Sequence, residues 1–158
     1  MNTDEKWMNL ALLEASKAQR VNEVPVGSVI VKNDKLIETS HNQSILRHDP
    51  TAHAEILLLK KAGQELKNYR LVGTTIYVTL EPCAMCLGAM MHARIDRLVF
   101  GAFDYKTGVC ESSINLTNAS CFNHKIKITS GILEQECKKI LQEFFTNKRF
   151  KIYYTNIN

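Results

Sequence analysis

An α/β layered fold is what this sequence predicts, and three observations carry the prediction. Apolar positions switch repeatedly between the helical spacing of about 3.6 residues and the two-residue alternation of strands, the pattern of helices packed on a sheet. A hydrophobic share of 45% over 158 residues supplies a core for one domain without disulfide staples. No internal repeat, linker or low-complexity stretch interrupts that pattern, so residues 1–158 read as a single domain.

Thr3 is a candidate cap for a first helix whose Trp7, Leu10, Ala11, Ala15 and Ala18 share one face. Val26 to Lys32 and Leu36 to Asn42 are strand-like and form a hairpin, with Asn33 and Asp34 between them tolerating turn geometry. Thr51 is the expected cap of a second helix that carries His53 and Glu55 in its first turn and continues through Leu57, Leu58 and Lys61. Thr75 to Leu80 reads as a buried strand that delivers the chain to Pro82, a residue suited to a helix start. Cys83 and Cys86 therefore stand one turn apart at a helix N-terminus. Arg97 to Gly101 and Lys125 to Thr129 supply two more strands, and Leu133, Cys137, Ile140, Leu141 and Phe144 mark a final amphipathic helix. The segment from Asp104 to Asn123 is rich in Gly, Ser, Thr and Asn, and is a candidate substrate-facing loop.

A net charge of +4 permits a polyanionic partner without requiring one. Five cysteines, an odd number, point to a reducing compartment where thiols persist. The first residues carry acids where a signal peptide needs a basic start, and no apolar run approaches about 18 residues. A cytoplasmic protein with no membrane partner is expected.

The chemistry concentrates in His53-Ala54-Glu55 and Pro82-Cys83-Ala84-Met85-Cys86. One imidazole and two thiolates can hold a zinc ion in three of its four tetrahedral positions, which leaves the fourth to a reactive water. A closed structural site would need a fourth Cys or His, and Cys110, Cys121 and Cys137 are scattered without a second Cys-x-x-Cys. They read as ordinary thiols. Glu55 lies close enough to such a water to move its proton without being a ligand. The start of a helix also favours thiolate over thiol at Cys83 and Cys86.

The combination of H-x-E with P-C-x-x-C is the known signature of zinc nucleobase deaminases, recognised here by matching. Longer segments narrow it: Glu23-Val24-Pro25-Val26-Gly27, Arg47 through Glu55, Asn68-Tyr69-Arg70-Leu71, Tyr77 through Cys86 and Lys106-Thr107-Gly108. Together they resemble the bacterial tRNA-specific adenosine deaminases of the cytidine deaminase superfamily, across most of the chain. The resemblance implies a three-layer α/β/α sandwich around a five-stranded mixed sheet, a homodimer, and conversion of a tRNA wobble adenosine to inosine. It makes His53, Cys83 and Cys86 the ligands of one Zn2+ per chain and Glu55 the proton shuttle.

Asn42 corresponds to an asparagine that holds the target base in that family, and an amide can read a purine edge with donor and acceptor. The base must leave its stack to reach the metal, which a single-stranded anticodon loop makes less costly than a duplex. Arg70, Arg94, Lys106, Lys148 and Arg149 are candidate phosphate contacts on the tRNA anticodon stem-loop, weighed against an ordinary solvated surface. Phe144 fits the core stripe of the last helix. Phe145 points elsewhere, toward a loop base, a partner subunit or further core packing. Asp104 is a candidate acceptor for a ribose 2′-OH, with ordering of its own loop as the alternative. Phe103 stands where related tRNA enzymes often carry arginine, so one phosphate contact is absent or replaced by stacking. Two other functions stay open: a deaminase of a free base or nucleoside, of guanine or cytosine type, and a zinc-stabilised nucleic-acid-binding module without turnover. An intact Glu55 argues against the second.

Overall fold

The computed structural model describes residues 2–155, the side chains of 153–155 excepted. Its first helix, α1 (Thr3–Arg20), is followed by a hairpin of β1 (Gly27–Lys32) and β2 (Lys35–His41). The hairpin closes through Asn33 and Asp34, both at positive φ (51° and 55°), the two-residue turn whose twist suits paired strands. A short helix α2 (Ser44–Arg47) precedes α3 (Ala54–Leu66), and β3 (Thr74–Leu80) leads into α4 (Ala84–Ala93). β4 (Arg97–Ala102), β5 (Lys127–Thr129) and the long α5 (Glu134–Thr155) complete the chain.

The strands form one sheet in the order β2-β1-β3-β4-β5. β1 pairs antiparallel with β2 and β3, whereas β3–β4 and β4–β5 are parallel, so the sheet is mixed as expected. Alternating side chains feed two cores. Ile30, Ile76, Val78, Leu98 and Phe100 face α3 and α4, while Val29, Val31, Tyr77 and Val99 face α1 and α5. The three-layer sandwich follows from apolar residues on both faces. At the start of β1 the layers touch backbone to backbone: a Cβ on Gly27 would lie 2.0 Å from the Ala11 carbonyl oxygen.

Two expected caps are corrected. Asn2, not Thr3, caps α1: its Oδ1 accepts from Asp4 N at 2.9 Å, and Glu5 Oε2 accepts from Asn2 N at 3.3 Å, a reciprocal box. Thr51 does not cap α3, because its N–H and hydroxyl both donate to Asp49 Oδ1 (2.8 and 2.7 Å) and His53 occupies the cap position instead. The short α2 was not anticipated. It carries no apolar periodicity of its own, and the buried Glu23 anchors it by accepting from Leu46 N at 2.5 Å.

One end of the sheet gathers what matters. Register pairs Gly27 with His41, Ser28 with Val78, and Leu80 with Ala102, so the start of β1 and the ends of β2, β3 and β4 lie along one edge. Asn42, Cys83 and Asp104 leave the sheet there, in the crevice where parallel strands end.

Candidate metal and catalytic site

His53 and Cys83 are the N-cap residues of α3 and α4, both with extended backbone, and neither side chain caps its own helix. They turn toward each other instead. His53 Nδ1 lies 3.7 Å from Cys83 Sγ and 3.5 Å from Cys86 Sγ, and all three ligand atoms fall within 4.8 Å of one another. A tetrahedral cation with bonds of about 2.0 Å to nitrogen and 2.3 Å to sulfur separates N and S by about 3.6 Å, so the trio fits one metal ion. The three groups also share protons among themselves. Accepting from the Cys86 thiol brings Cys83 down to about 4, despite partial burial. The same bond, with burial, pushes Cys86 up, and hydrogen bonding to Cys83 raises His53. Of the three, only Cys83 is favoured in the deprotonated form a metal requires, so binding an ion would release protons from the other two.

Glu55 sits in the first turn of α3 and is 4% exposed. Burial, the largest influence, raises its carboxyl from the ordinary range to about 7. A group balanced between acid and base near neutrality suits proton transfer in both directions. Asn42 is tied to the same helix, its Oδ1 accepting from Ala54 N at 3.2 Å. Its amide NH2 makes no hydrogen bond among the described residues, and the residue lines the cleft.

The cleft measures about 750 Å³, a size typical of ligand pockets. It brings together Asn42, His53, Glu55, Cys83, Asp104, Lys106 and Phe145, with Arg149 at its edge. Arg70 and Arg94 are elsewhere: they line a separate groove with Phe122 and Asn123, where Arg70 packs over Tyr69 at 5.6 Å and Arg94 donates to Asn123 O at 3.1 Å. Lys148 lies over the buried Phe144 ring at 4.9 Å. Phe145 is 45% exposed. Asp104 orders its own turn: Oδ1 accepts from Lys106 N (3.0 Å) and Thr107 N (3.1 Å), and Oδ2 accepts from Thr107 Oγ1 (2.6 Å).

Sequence reasoning missed Glu81, which is 2% exposed and directly precedes Pro82 and Cys83. Its Oε1 accepts from the amides of Cys110, Glu111 and Ser112 (3.1, 2.7 and 3.0 Å), and its Oε2 from Asp104 N (3.0 Å) and the Ser112 hydroxyl. Burial alone would raise this carboxyl. The donors from Ser112, Glu111 and Asp104 outweigh it and hold the group below its ordinary value. Gly108 wraps so closely that a Cβ would come 2.5 Å from Glu81 Oε2. The only signal in the sequence was a carboxylate beside the Pro-Cys-x-x-Cys element.

Residues 2–149 match the family of MafB19-like deaminases. The chain is 48% identical over 147 residues to the tRNA-specific adenosine deaminase of Haemophilus influenzae, covering 92% of this chain and 85% of that protein. It is 44% identical over 151 residues to the Bacillus subtilis protein of the same name, covering 96% and 94%. A solved structure from studies of A-to-I editing by tRNA:A34 deaminases at the wobble position of transfer RNA superposes with a TM-score of 0.84 at 42% identity. That match covers 86% of this chain and 99% of the other. Guanine deaminase of Nitrosomonas europaea shares the fold, with a TM-score of 0.78 at 22% identity over 89% and 83% of the two chains.

Replacing Glu81 with Gln turns one acceptor oxygen into a donor facing N–H groups. We expect the substitution to cost about 1–3 kcal/mol and to release the 104–112 loop while the metal ligands stay in place. Faster amide hydrogen exchange at Cys110, Glu111 and Ser112, with unchanged bound metal, is the expected result.

Proposed function

The chain belongs to the tRNA-specific adenosine deaminase family, and on that premise we propose that it hydrolyses the wobble adenosine of a tRNA anticodon to inosine. The observation that carries the reading is a fully buried Glu55 beside a His53, Cys83 and Cys86 trio with room for one ion, at the floor of a cleft open to substrate. Zinc suits that donor set of one imidazole and two thiolates and, when bound, supplies the Lewis acidity that makes water nucleophilic near neutral pH.

Glu55 takes the proton from the attacking water and delivers it to N1 of adenine as the ring loses aromaticity, then takes the proton of the new C6 hydroxyl and passes it to the departing amine. Water is consumed and ammonia leaves. Asn42 commits its oxygen to α3, so its NH2 is the group that donates to an acceptor on the base. Lys106, Arg149 and Phe145 stand where they meet the nucleotides beside the target, and binding energy gained there orients adenine at the metal. Arg70 and Arg94 form a second basic patch for phosphates outside the cleft. A tRNA substrate and free thiols suit the cytoplasm. Among the described residues no helix is long and apolar enough to cross a membrane.

A groove of about 760 Å³ between α3 and α4, lined by Ile56, Leu59, Tyr69, Leu71 and Ala89, supports association with a second copy of the chain. Light scattering at micromolar protein should give twice the chain mass, and Leu59→Glu should return it to the monomer.

Elemental analysis of purified protein should give one zinc per chain. Cys83→Ala should lose it together with activity and thermal stability. Glu55→Gln should keep zinc and tRNA binding and lose at least about 10²–10⁴-fold in single-turnover inosine formation, since one residue serves several proton transfers. Near-normal rates in Glu55→Gln would sink the shuttle. Free adenosine should be a very poor substrate beside tRNA.

A carboxylate has about four acceptor positions, and loop donors take three of those on Asp104. We assign the fourth, on Oδ2, to a ribose 2′-OH. Asp104→Asn should narrow the RNA-to-DNA efficiency ratio on matched hairpins by about 3- to 10-fold, the worth of one hydrogen bond. An unchanged ratio in a folded variant would leave Asp104 with loop ordering alone.

A further inference from the structure

The cleft carries a column of three aromatic rings that the chemistry above does not use. Phe100, fully buried on β4, meets Phe103 edge-on, with 5.3 Å between centroids and 88° between planes. Phe103, half-buried, stacks in turn beneath Tyr105 at 6.3 Å and 22°. Exposure climbs along the column from 0% at Phe100 to 75% at Tyr105, whose outer face is therefore open to solvent. The Tyr105 hydroxyl makes no hydrogen bond among the described residues, so the ring is not held there by its polar tip.

The support beneath it is rigid. Glu81 grips the loop on both sides, at Asp104 N and at the amides of residues 110–112, and the Asp104 carboxylate closes the turn at Lys106 and Thr107. A ring stacked on Phe103 and carried on a loop fixed by so many bonds loses little conformational freedom when it meets a flat partner. Its surroundings specify the partner: Tyr105 lines the cleft that holds Glu55 and Cys83, beside Lys106 and with Phe145 and Arg149 also on the wall. Rings next to cations beside a base-binding site are the surface that unpaired nucleotides use, bases stacking on π faces and phosphates pairing with ammonium and guanidinium groups.

We propose that the outer face of Tyr105, carried on Phe103 and Phe100, is a stacking platform for one unpaired nucleobase next to the base at the metal. The proposal rests on the deamination reading above, and it adds a binding site for a second nucleotide.

The test uses the zinc-loaded protein, an anticodon-loop RNA hairpin, and hairpins made abasic one position at a time on either side of the target. Tyr105→Ala should lower kcat/KM on the intact hairpin about 5- to 100-fold, the range for one base–aromatic stack. The loss should appear mainly in KM, with zinc content and oligomeric mass unchanged. Tyr105→Phe should stay within about 2-fold of the unaltered protein, because the π face is kept. At one flanking position the abasic hairpin should reduce the unaltered protein to the level of Tyr105→Ala and leave the variant no worse, the signature of two groups in contact. Equal efficiency of Tyr105→Ala on the intact hairpin would overturn the platform. So would losses that add at every flanking position, or a change in oligomeric mass that assigns the ring to a second copy. Failure of the unaltered protein to form inosine in both hairpin and tRNA would instead sink the deamination reading, and the platform with it.

Discussion

The meeting of two helix starts organises this molecule. α3 and α4 begin at the same edge of the sheet, and each places a candidate metal ligand at its own N-cap, His53 on one and Cys83 on the other. An N-cap side chain ordinarily bonds back to its helix; here both face across the gap, and the first N–H of α3 donates to Asn42 instead. Parallel pairing of β3 with β4 fixes where α4 begins, because the helix is the crossover between them. α3 is fixed by packing on β1 and β2. The ligand geometry is therefore a property of sheet topology, and Cys86 and Glu55 follow from one further turn or less of each helix.

Around that centre, two buried carboxylates hold the rim. Glu81 gathers the loop after β4, and Glu23 holds α2 through the Leu46 amide. Neither group is one of the metal trio, yet Glu81 sets the position of a cleft wall through Asp104. Five donors on one carboxylate make loop order a shared property of the set: while the oxygens are in place all are satisfied, and losing them orphans several buried amides together. The same clamp passes on to Pro82 and Cys83, so the substrate loop and the ligand strand are pinned at adjacent residues.

Short-range information was legible in the sequence. His-x-Glu, Pro-Cys-x-x-Cys, the Asn33-Asp34 turn and the strand-like runs of β1 and β3 are local patterns with local causes, and each is found in the structure. Caps were less so: Asn2 and Thr3 are both good capping residues, and only the reach of Glu5 back to the Asn2 amide decides between them. Thr51 looked like a cap because the competing bond to Asp49 depends on a turn that leaves no periodic trace. Glu23 and Glu81 were invisible for a different reason. A glutamate that collects donors from far along the chain has the same letter as one in water, and the contacts that bury it arise only after folding. Arg70 and Arg94 show the converse, since basic side chains grouped by type in the sequence are separated from the cleft in space.

Asn42 ties two tasks into one mechanical frame. Its oxygen holds the first amide of α3, whose neighbouring residues are His53 and Glu55, while its NH2 is the donor proposed for the base. Thermal motion of the α2 segment or of the cleft wall then carries the base-reading group and the start of the catalytic helix along together, as common-mode displacement. What reaction needs is a small error in the distance between C6 of the base and the attacking oxygen, not a small absolute motion of either. A single hydrogen bond at 3.2 Å rejects the shared part of the noise, so a purine held by the Asn42 NH2 would stay registered to the attacking oxygen.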